Sequence, residues 1–321
     1  MPIVYTDTIC LPFLTGSILL LFNTAEKLSQ QKEVDKRIAF RFVLFGFVAA
    51  FGMKIKGSLA IIIVAGIIYI ILKFNAFSKN NMFKVLKVCI LCTIGMLLCM
   101  LMFGTLIKST GLFTMDGFEK YEFPKTHFIM MGLQGMGNFN ADDKHFTESI
   151  EGYDNKKEAI AEKIEERVSE MGEKGVIKQM FNKAINYGWN YGTYYAERYL
   201  GDLGDTPISY NVVHELILTK GKYFTIHWLY TQAFYLIIFG MAIVGFIIQI
   251  INKNVNFEIL FSEVSLIGAL IFFMLWETHP RYLFHFSFVL LLLATNAGKS
   301  IIECIKEINI NESMKRREKG K

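Results

Sequence analysis

Cysteine is scarce in this 321-residue chain, and the few that occur are placed wrongly for a disulfide framework. Cys10, Cys89, Cys92, Cys99 and Cys304 lie within or beside apolar runs, while the polar stretch from 108 to 223 has none. A disulfide-stapled secreted module is therefore excluded. Cys89 and Cys92 have metal-ligand spacing, but no histidine or carboxylate stands near them in the sequence, so they read as small apolar residues. Gly132, Gly135 and Gly137 lack the strand and helix that would make a nucleotide loop of them. The opening Met-Pro-Ile-Val-Tyr-Thr-Asp runs into an apolar stretch without the basic leader and cleavage site of a signal peptide. The formal charge of +5 is spread over short loops and a C-terminal tail, a pattern that speaks against a nucleic-acid partner.

What the chain has instead is apolar length. Hydrophobic residues make up 53% of it, above the roughly 45–50% of soluble domains. The apolar runs fall near 8–23, 38–53, 57–73, 85–107, 224–251, 258–276 and 281–302. They predict an all-α polytopic membrane protein of about seven transmembrane helices, with one extracytoplasmic, mainly helical and loop domain. Several runs fall short of the roughly 20 residues that cross a bilayer, so the first two are expected to be tilted, re-entrant or differently bounded. The blocks are 1–107 with about four spans, the polar domain 108–223, 224–302 with three spans, and a basic cytoplasmic tail 303–321.

Short-loop cations set the expected orientation: Lys27, Lys32, Lys36, Arg37, then Lys79, Lys84, Lys87, then Lys253 and the tail belong in the cytoplasm. The protein is thus expected in the cell membrane, multi-pass, with the polar domain outside. Lys54 and Lys56 fall on the outer side and are either an anion contact or exceptions to the charge rule.

The polar domain divides further. It is loop-rich to about Gly152, then has helical spacing in Ile160, Ile164, Val168 and Met171, with Gly172 as a stop. A second amphipathic run, Val176 to Ile185, packs on the first helix or lies on the membrane surface. Trp189 and Tyr191 belong to an aromatic cluster that suits either a sugar-stacking surface or an interfacial belt. Asp142 and Asp143 are either a divalent-metal pair or solvated loop acids; His127 and His145 carry similarly weak signals. No cofactor is assigned.

The stretch with the most to explain is Phe272 to Phe286, FFMLWETHPRYLFHF, where Glu277, His279 and Arg281 stand between two apolar runs. Ionisable groups at the edge of a span cost several kcal/mol unless they meet water, a partner or a head group. The turn is either a functional site or a wet hairpin with Trp276 and Tyr282 at the interface.

Three stretches carry a resemblance to the GT-C superfamily of integral membrane glycosyltransferases, in particular bacterial relatives of the protein O-mannosyltransferase and aminoarabinose transferase group. The opening Tyr5-Thr6-Asp7-Thr8 to Leu11-Pro12-Phe13 resembles an outer loop entering a span. Phe123-Pro124-Lys125-Thr126-His127 onward to Thr147, with Trp189 to Thr193, resembles an ectodomain block. Glu277 followed by Arg281-Tyr282 resembles an E-x-x-x-R-Y turn. The resemblance implies a polyprenyl-phosphate-linked sugar donor, a cell-envelope glycan or lipid acceptor, and transfer at the outer face of the membrane, in contact with membrane lipid. Such a transfer needs a cation for the departing phosphate and a carboxylate for the acceptor proton. Asp7 is the candidate catalytic base or else an ordinary interfacial residue, the family's own acid then being absent. Arg281, Glu277, His279, Tyr282, Lys54 and Lys56 are the candidates around the lipid phosphate, with Glu277 and Arg281 alternatively an ion pair that closes the hairpin. Trp189, Tyr191 and His127 are candidate acceptor or sugar contacts. The family's first span and outer loop have no counterpart here, so the chain is expected to be the C-terminal part of a longer protein. The rival expectation is a non-enzymatic membrane protein, a transporter or envelope-assembly subunit, or an inactive fragment. Against a transporter, no paired broken helices or inverted repeat are evident.

Overall fold

Apolar runs of this length can satisfy their backbone in lipid only as helices or closed barrels. The computed structural model describes residues 6–111, 117, 121–188, 212–218, 221–252 and 256–319, and no strand occurs among them. A short α1 (Thr6–Ile9) turns through Cys10 into α2 (Leu11–Ser29), whose first turn holds a proline with no helical hydrogen bond to lose. α3 (Lys36–Ile55) starts at Asp35, whose carboxylate accepts the Ile38 N–H at 2.7 Å and caps the helix. A 3-10 turn (Gly57–Leu59) leads to α4 (Ala60–Lys73), and α5 (Lys79–Thr110) follows.

Among the described residues, six stretches are long and apolar enough to cross a bilayer: Thr6–Ser29, Lys36–Ile55, Asn81–Thr110, Phe224–Ile251, Phe257–Leu275 and Tyr282–Glu303. The seventh apolar run, Gly57–Lys73, is shorter. It nevertheless joins the same two levels as α2 and α3. Lys56 and Ser58 at its start meet Asp7 and His285, and Lys73 at its end lies 4.0 Å from Glu26 near the end of α2. From α5, Lys84 donates to the carbonyls of Leu28 and Gln31 at 3.1 and 2.8 Å, which sets the start of α5 at that second level. The first two runs, expected to be tilted, re-entrant or differently bounded, are differently bounded: they are continuous helices of 19 and 20 residues, Leu11–Ser29 and Lys36–Ile55.

Two compact units result, and each draws on distant parts of the chain: Met1–Asn190 with Ile267–Phe286, and Tyr191–Leu266 with Ser287–Lys321. In the first, α3 and α5 cross where both are glycine. A Cβ on Gly46 would stand 2.0 Å from the Cys92 carbonyl oxygen, and one on Gly95 would stand 1.9 Å from that of Val43. Lipid offers apolar surface as good as a neighbouring helix does, so close backbone approach through small residues is what holds such a pair together.

The first unit also contains α6 (Thr126–Gly132), α7 (Ala141–Glu148) and α8 (Tyr153–Asn182), followed by a π turn (Lys183–Gly188). Gly172 interrupts α8 at φ 61°, a conformation open to glycine, and splits it where the two amphipathic patterns meet. Arg167 ties the three helices together. Its guanidinium forks onto both Asp143 oxygens at 2.9 and 2.6 Å and donates to the Met130 carbonyl at 2.6 Å.

The second unit contains α9 (Val212–Ile217), α10 (Phe224–Asn252), the first half of α11 (Phe257–Leu275) and α12 (Ser287–Lys319). Ala242, Ile259, Leu290 and Leu293 form its core. Glu263 is buried at 5% exposure; Gln249 donates to one of its oxygens at 3.1 Å, and the other has no hydrogen-bond partner.

Candidate functional site

Within the first unit, the stretch from Trp276 to Phe286 meets the start of α1 and the junction of α3 with the 3-10 turn. Its last seven residues, Pro280–Phe286, form a second 3-10 turn. In a 3-10 helix, residues three apart eclipse, so Tyr282 and His285 present their rings to the same side. His285 stands as one polar residue among aromatic and apolar neighbours, which is why the sequence pattern did not reveal it.

Asp7 lies at the centre of the arrangement. It is 4% exposed, its Oδ1 lies 2.8 Å from Lys56 Nζ, and the Nδ1 of the fully buried His285 lies 3.6 Å from the same oxygen. The other ring nitrogen of His285 shares a hydrogen bond with the Ser58 hydroxyl at 2.8 Å. The Lys56 ammonium also sits 4.6 Å from the centre of the Tyr282 ring, and the Tyr282 hydroxyl donates to Glu277. A continuous polar chain thus runs Glu277, Tyr282, Lys56, Asp7, His285, Ser58, walled by Phe273 and Phe286. Cys10 adds a long contact from its sulfur to the Asp7 carbonyl at 3.3 Å. An ammonium over a ring face and against a carboxylate as enclosed as Asp7 is held more strongly than the same groups at a surface.

The turn itself is fixed from the polar side of the unit. Glu277 N–H donates to the Phe128 carbonyl at 2.9 Å and Thr278 N–H to that of Gly137 at 2.8 Å. Lys183 reaches in from the π turn to the Trp276 carbonyl at 2.9 Å, and its methylenes cross Gly137 so closely that a Cβ there would come within 2.1 Å. Trp276 stacks between Phe128 and Phe272 at 5.4 and 5.0 Å. Burial pushes the Lys183 amine down to about 8, since an ammonium with one carbonyl for a partner has lost most of its hydration.

Of the residues expected at the site, Asp7, Lys56, Glu277 and Tyr282 come together, and His279 joins through its ring at 5.8 Å from that of Tyr282. Lys54 is exposed on α3, outside this set. Arg281 belongs to the second 3-10 turn, but its side chain is outside the described residues, as are Trp189 and Tyr191 altogether. His127 is 1% exposed; its Nδ1 shares a 2.8 Å hydrogen bond with Thr147, and its ring packs on Phe123 at 4.6 Å. It therefore joins α6 to α7 instead of facing outward, and burial lowers its pKa. Asp143, weighed as half of a metal pair, is taken up by Arg167. Among the described residues no group of three or more His, Cys, Asp or Glu is placed to hold a metal ion. His285, Ser58 and Lys183 are the members that sequence reasoning missed: each was one polar residue in an apolar or unremarkable stretch, with partners more than 90 positions away.

A family model described as conserved hypothetical integral membrane protein matches residues 1–301. Comparison with curated proteins and with solved structures finds no match.

Proposed function

This chain belongs to the family of conserved hypothetical integral membrane proteins, and we propose that the Asp7–Lys56 cluster is the transfer site of a GT-C-type membrane glycosyltransferase. It moves a sugar from a polyprenyl-phosphate donor to a cell-envelope acceptor, with the polar block on the outer face. The observation that carries the reading is a buried carboxylate and a half-buried ammonium 2.8 Å apart, with a tyrosine ring against the cation, at the end of two apolar helices. Charge held at that level suits an anionic head group entering from the lipid.

In the proposed reaction an acceptor hydroxyl attacks the anomeric carbon of the donor with inversion. The bond from that carbon to the phosphate oxygen breaks, and its electron pair leaves with the polyprenyl phosphate. Asp7 takes the hydroxyl proton, as a positioned general base. Lys56 shifts from Asp7 onto the departing phosphate, neutralising charge where it develops and freeing the carboxylate in the same movement. Arg281, next in sequence to Tyr282, is assigned to the same phosphate by the E-x-x-x-R-Y resemblance. Tyr282 limits where Lys56 can go, and His285 keeps Asp7 oriented from the other side.

A second reading is favoured by the burial itself: Asp7 and His285 are so enclosed that the cluster could serve solely as a polar clasp between helices, in a transporter or assembly subunit. The two readings separate on undecaprenyl phosphate binding and sugar transfer by the purified full-length protein in nanodiscs. Asp7→Asn should abolish transfer while keeping lipid-phosphate binding, and Lys56→Gln should weaken that binding about tenfold or more, with Lys56→Arg restoring part of it. Retention of both binding and transfer in Asp7→Asn and Lys56→Gln, with only the melting temperature lowered, would establish the clasp.

A further inference from the structure

At the end of the first unit away from Asp7, α2 and α3 part to leave an open groove of about 680 Å³. Its rim carries Lys36, Arg37 and Arg41, and Leu19, Leu20 and Phe40 line it below. Arg37 and Arg41 are four residues apart and so share one face of α3. Leu19 and Phe40 are 56% and 65% exposed on helices apolar enough to cross a bilayer, so in the membrane they meet acyl chains. None of the three cationic side chains makes a hydrogen bond or ion pair with a described residue. The adjacent carboxylate, Asp35, is turned onto the N–H of Ile38 at 2.7 Å and caps the helix.

We propose that this groove holds one anionic phospholipid. The phosphodiester lies in the forks of Arg37 and Arg41 with Lys36 at the rim, and one acyl chain runs down Leu19, Leu20 and Phe40. Three cations with no partner among the described residues, over an apolar floor, match a molecule that is anionic at one end and hydrocarbon at the other. A zwitterionic lipid would set its own cation among them. A free phosphate would leave the floor unused. The start of α3 adds the positive end of its dipole on the same side. Arg41 and Lys56 are separated by 56 − 41 = 15 positions of one helix and its cap, ~22 Å along the axis. The groove is therefore distinct from the Asp7 cluster, and the proposal stands or falls without the glycosyltransferase reading.

The test titrates the purified full-length chain in neutral detergent with phosphatidylglycerol or with phosphatidylcholine of the same acyl chains, read by native mass spectrometry, with glycerol phosphate as a competitor. Phosphatidylglycerol should bind at least about tenfold more tightly than phosphatidylcholine. The triple variant Lys36→Gln, Arg37→Gln, Arg41→Gln should lose affinity on the order of a hundredfold with its thermal unfolding unchanged. Leu20→Trp, which fills the groove, should weaken binding while leaving every cation in place. Equal binding of the two lipids, or a triple variant that binds like the parent, overturns the proposal. So does full competition by glycerol phosphate at lipid concentrations, since it would show an anion site with no use for the chains.

Discussion

Asp7 and Lys56 should be far more damaging to lose one at a time than together, and the structure sets the size of the difference. Their side chains are 6% and 18% exposed and their charged atoms 2.8 Å apart. Removing one partner of a desolvated pair leaves a buried charge without compensation, typically about 3–5 kcal/mol, whereas replacing both is often close to neutral. Lys56→Met and Asp7→Asn should therefore each cost about 3 kcal/mol and the double variant about 1 kcal/mol, for a coupling of about 5 kcal/mol. An exposed pair would couple by about 0.2–1 kcal/mol. His285 lies 3.6 Å from the same Asp7 oxygen and, when protonated, is placed to substitute for Lys56. The cycle is accordingly run in both the parent and a His285→Gln background, by equilibrium unfolding in mixed micelles. A Lys56→Met cost within about 1 kcal/mol of the parent in both backgrounds, with coupling in the surface range, would refute the claim that the pair is desolvated and with it the basis for a site there.

Gly95→Ala should cost about 1–3 kcal/mol, because its Cβ would start 1.9 Å from the Val43 carbonyl oxygen and α3 and α5 would have to separate; thermal unfolding in detergent measures this, and an unchanged melting temperature would refute the close crossing. Lys183 gives the polar block a pH dependence whose sign follows from its burial: the amine titrates near 8 when docked and near 10.5 when released, so between those values the released form holds more protons. Protease resistance of residues 121–188 should rise as pH is raised through that window and show no such rise in Lys183→Met. His127 acts at the other end of the scale. Its pKa is below the ordinary 6.5, so the block should loosen as pH falls through 6.5, an effect absent in a folded His127→Gln variant. Glu263→Gln should keep a hydrogen bond with Gln249 while removing a buried acid, raising stability by about 0.5–2 kcal/mol, whereas Glu263→Ala should lower it; a lower melting temperature for Glu263→Gln would mean the acid has a partner that an amide cannot replace.

The sequence by itself determined the class of protein and the level at which its charges sit. Long apolar runs admit few structures in lipid, so the helices could be read from hydropathy alone. The cost of placing Glu277, His279 and Arg281 between such runs marked that turn as one with something to explain. The split of α8 at Gly172 was also legible, because a change of amphipathic phase and a glycine act locally. Tertiary structure alone decided who the partners are. Lys56 was an anomaly of the charge rule until the end of α3 set it against Asp7, whereas Lys54, two residues earlier on the same helix, points elsewhere, and no one-dimensional rule distinguishes them. His285 entered because the fold set its ring between Asp7 and Ser58, partners far from it in sequence that no local pattern could supply. Asp143 and His127 left the list of outward-facing candidates because Arg167 and Thr147, distant in sequence, took up their polar atoms. Pairing of this kind depends on which helices cross, and the crossing of α3 and α5 is set by Gly46 and Gly95, where the missing side chains become informative only once two backbones are seen to touch.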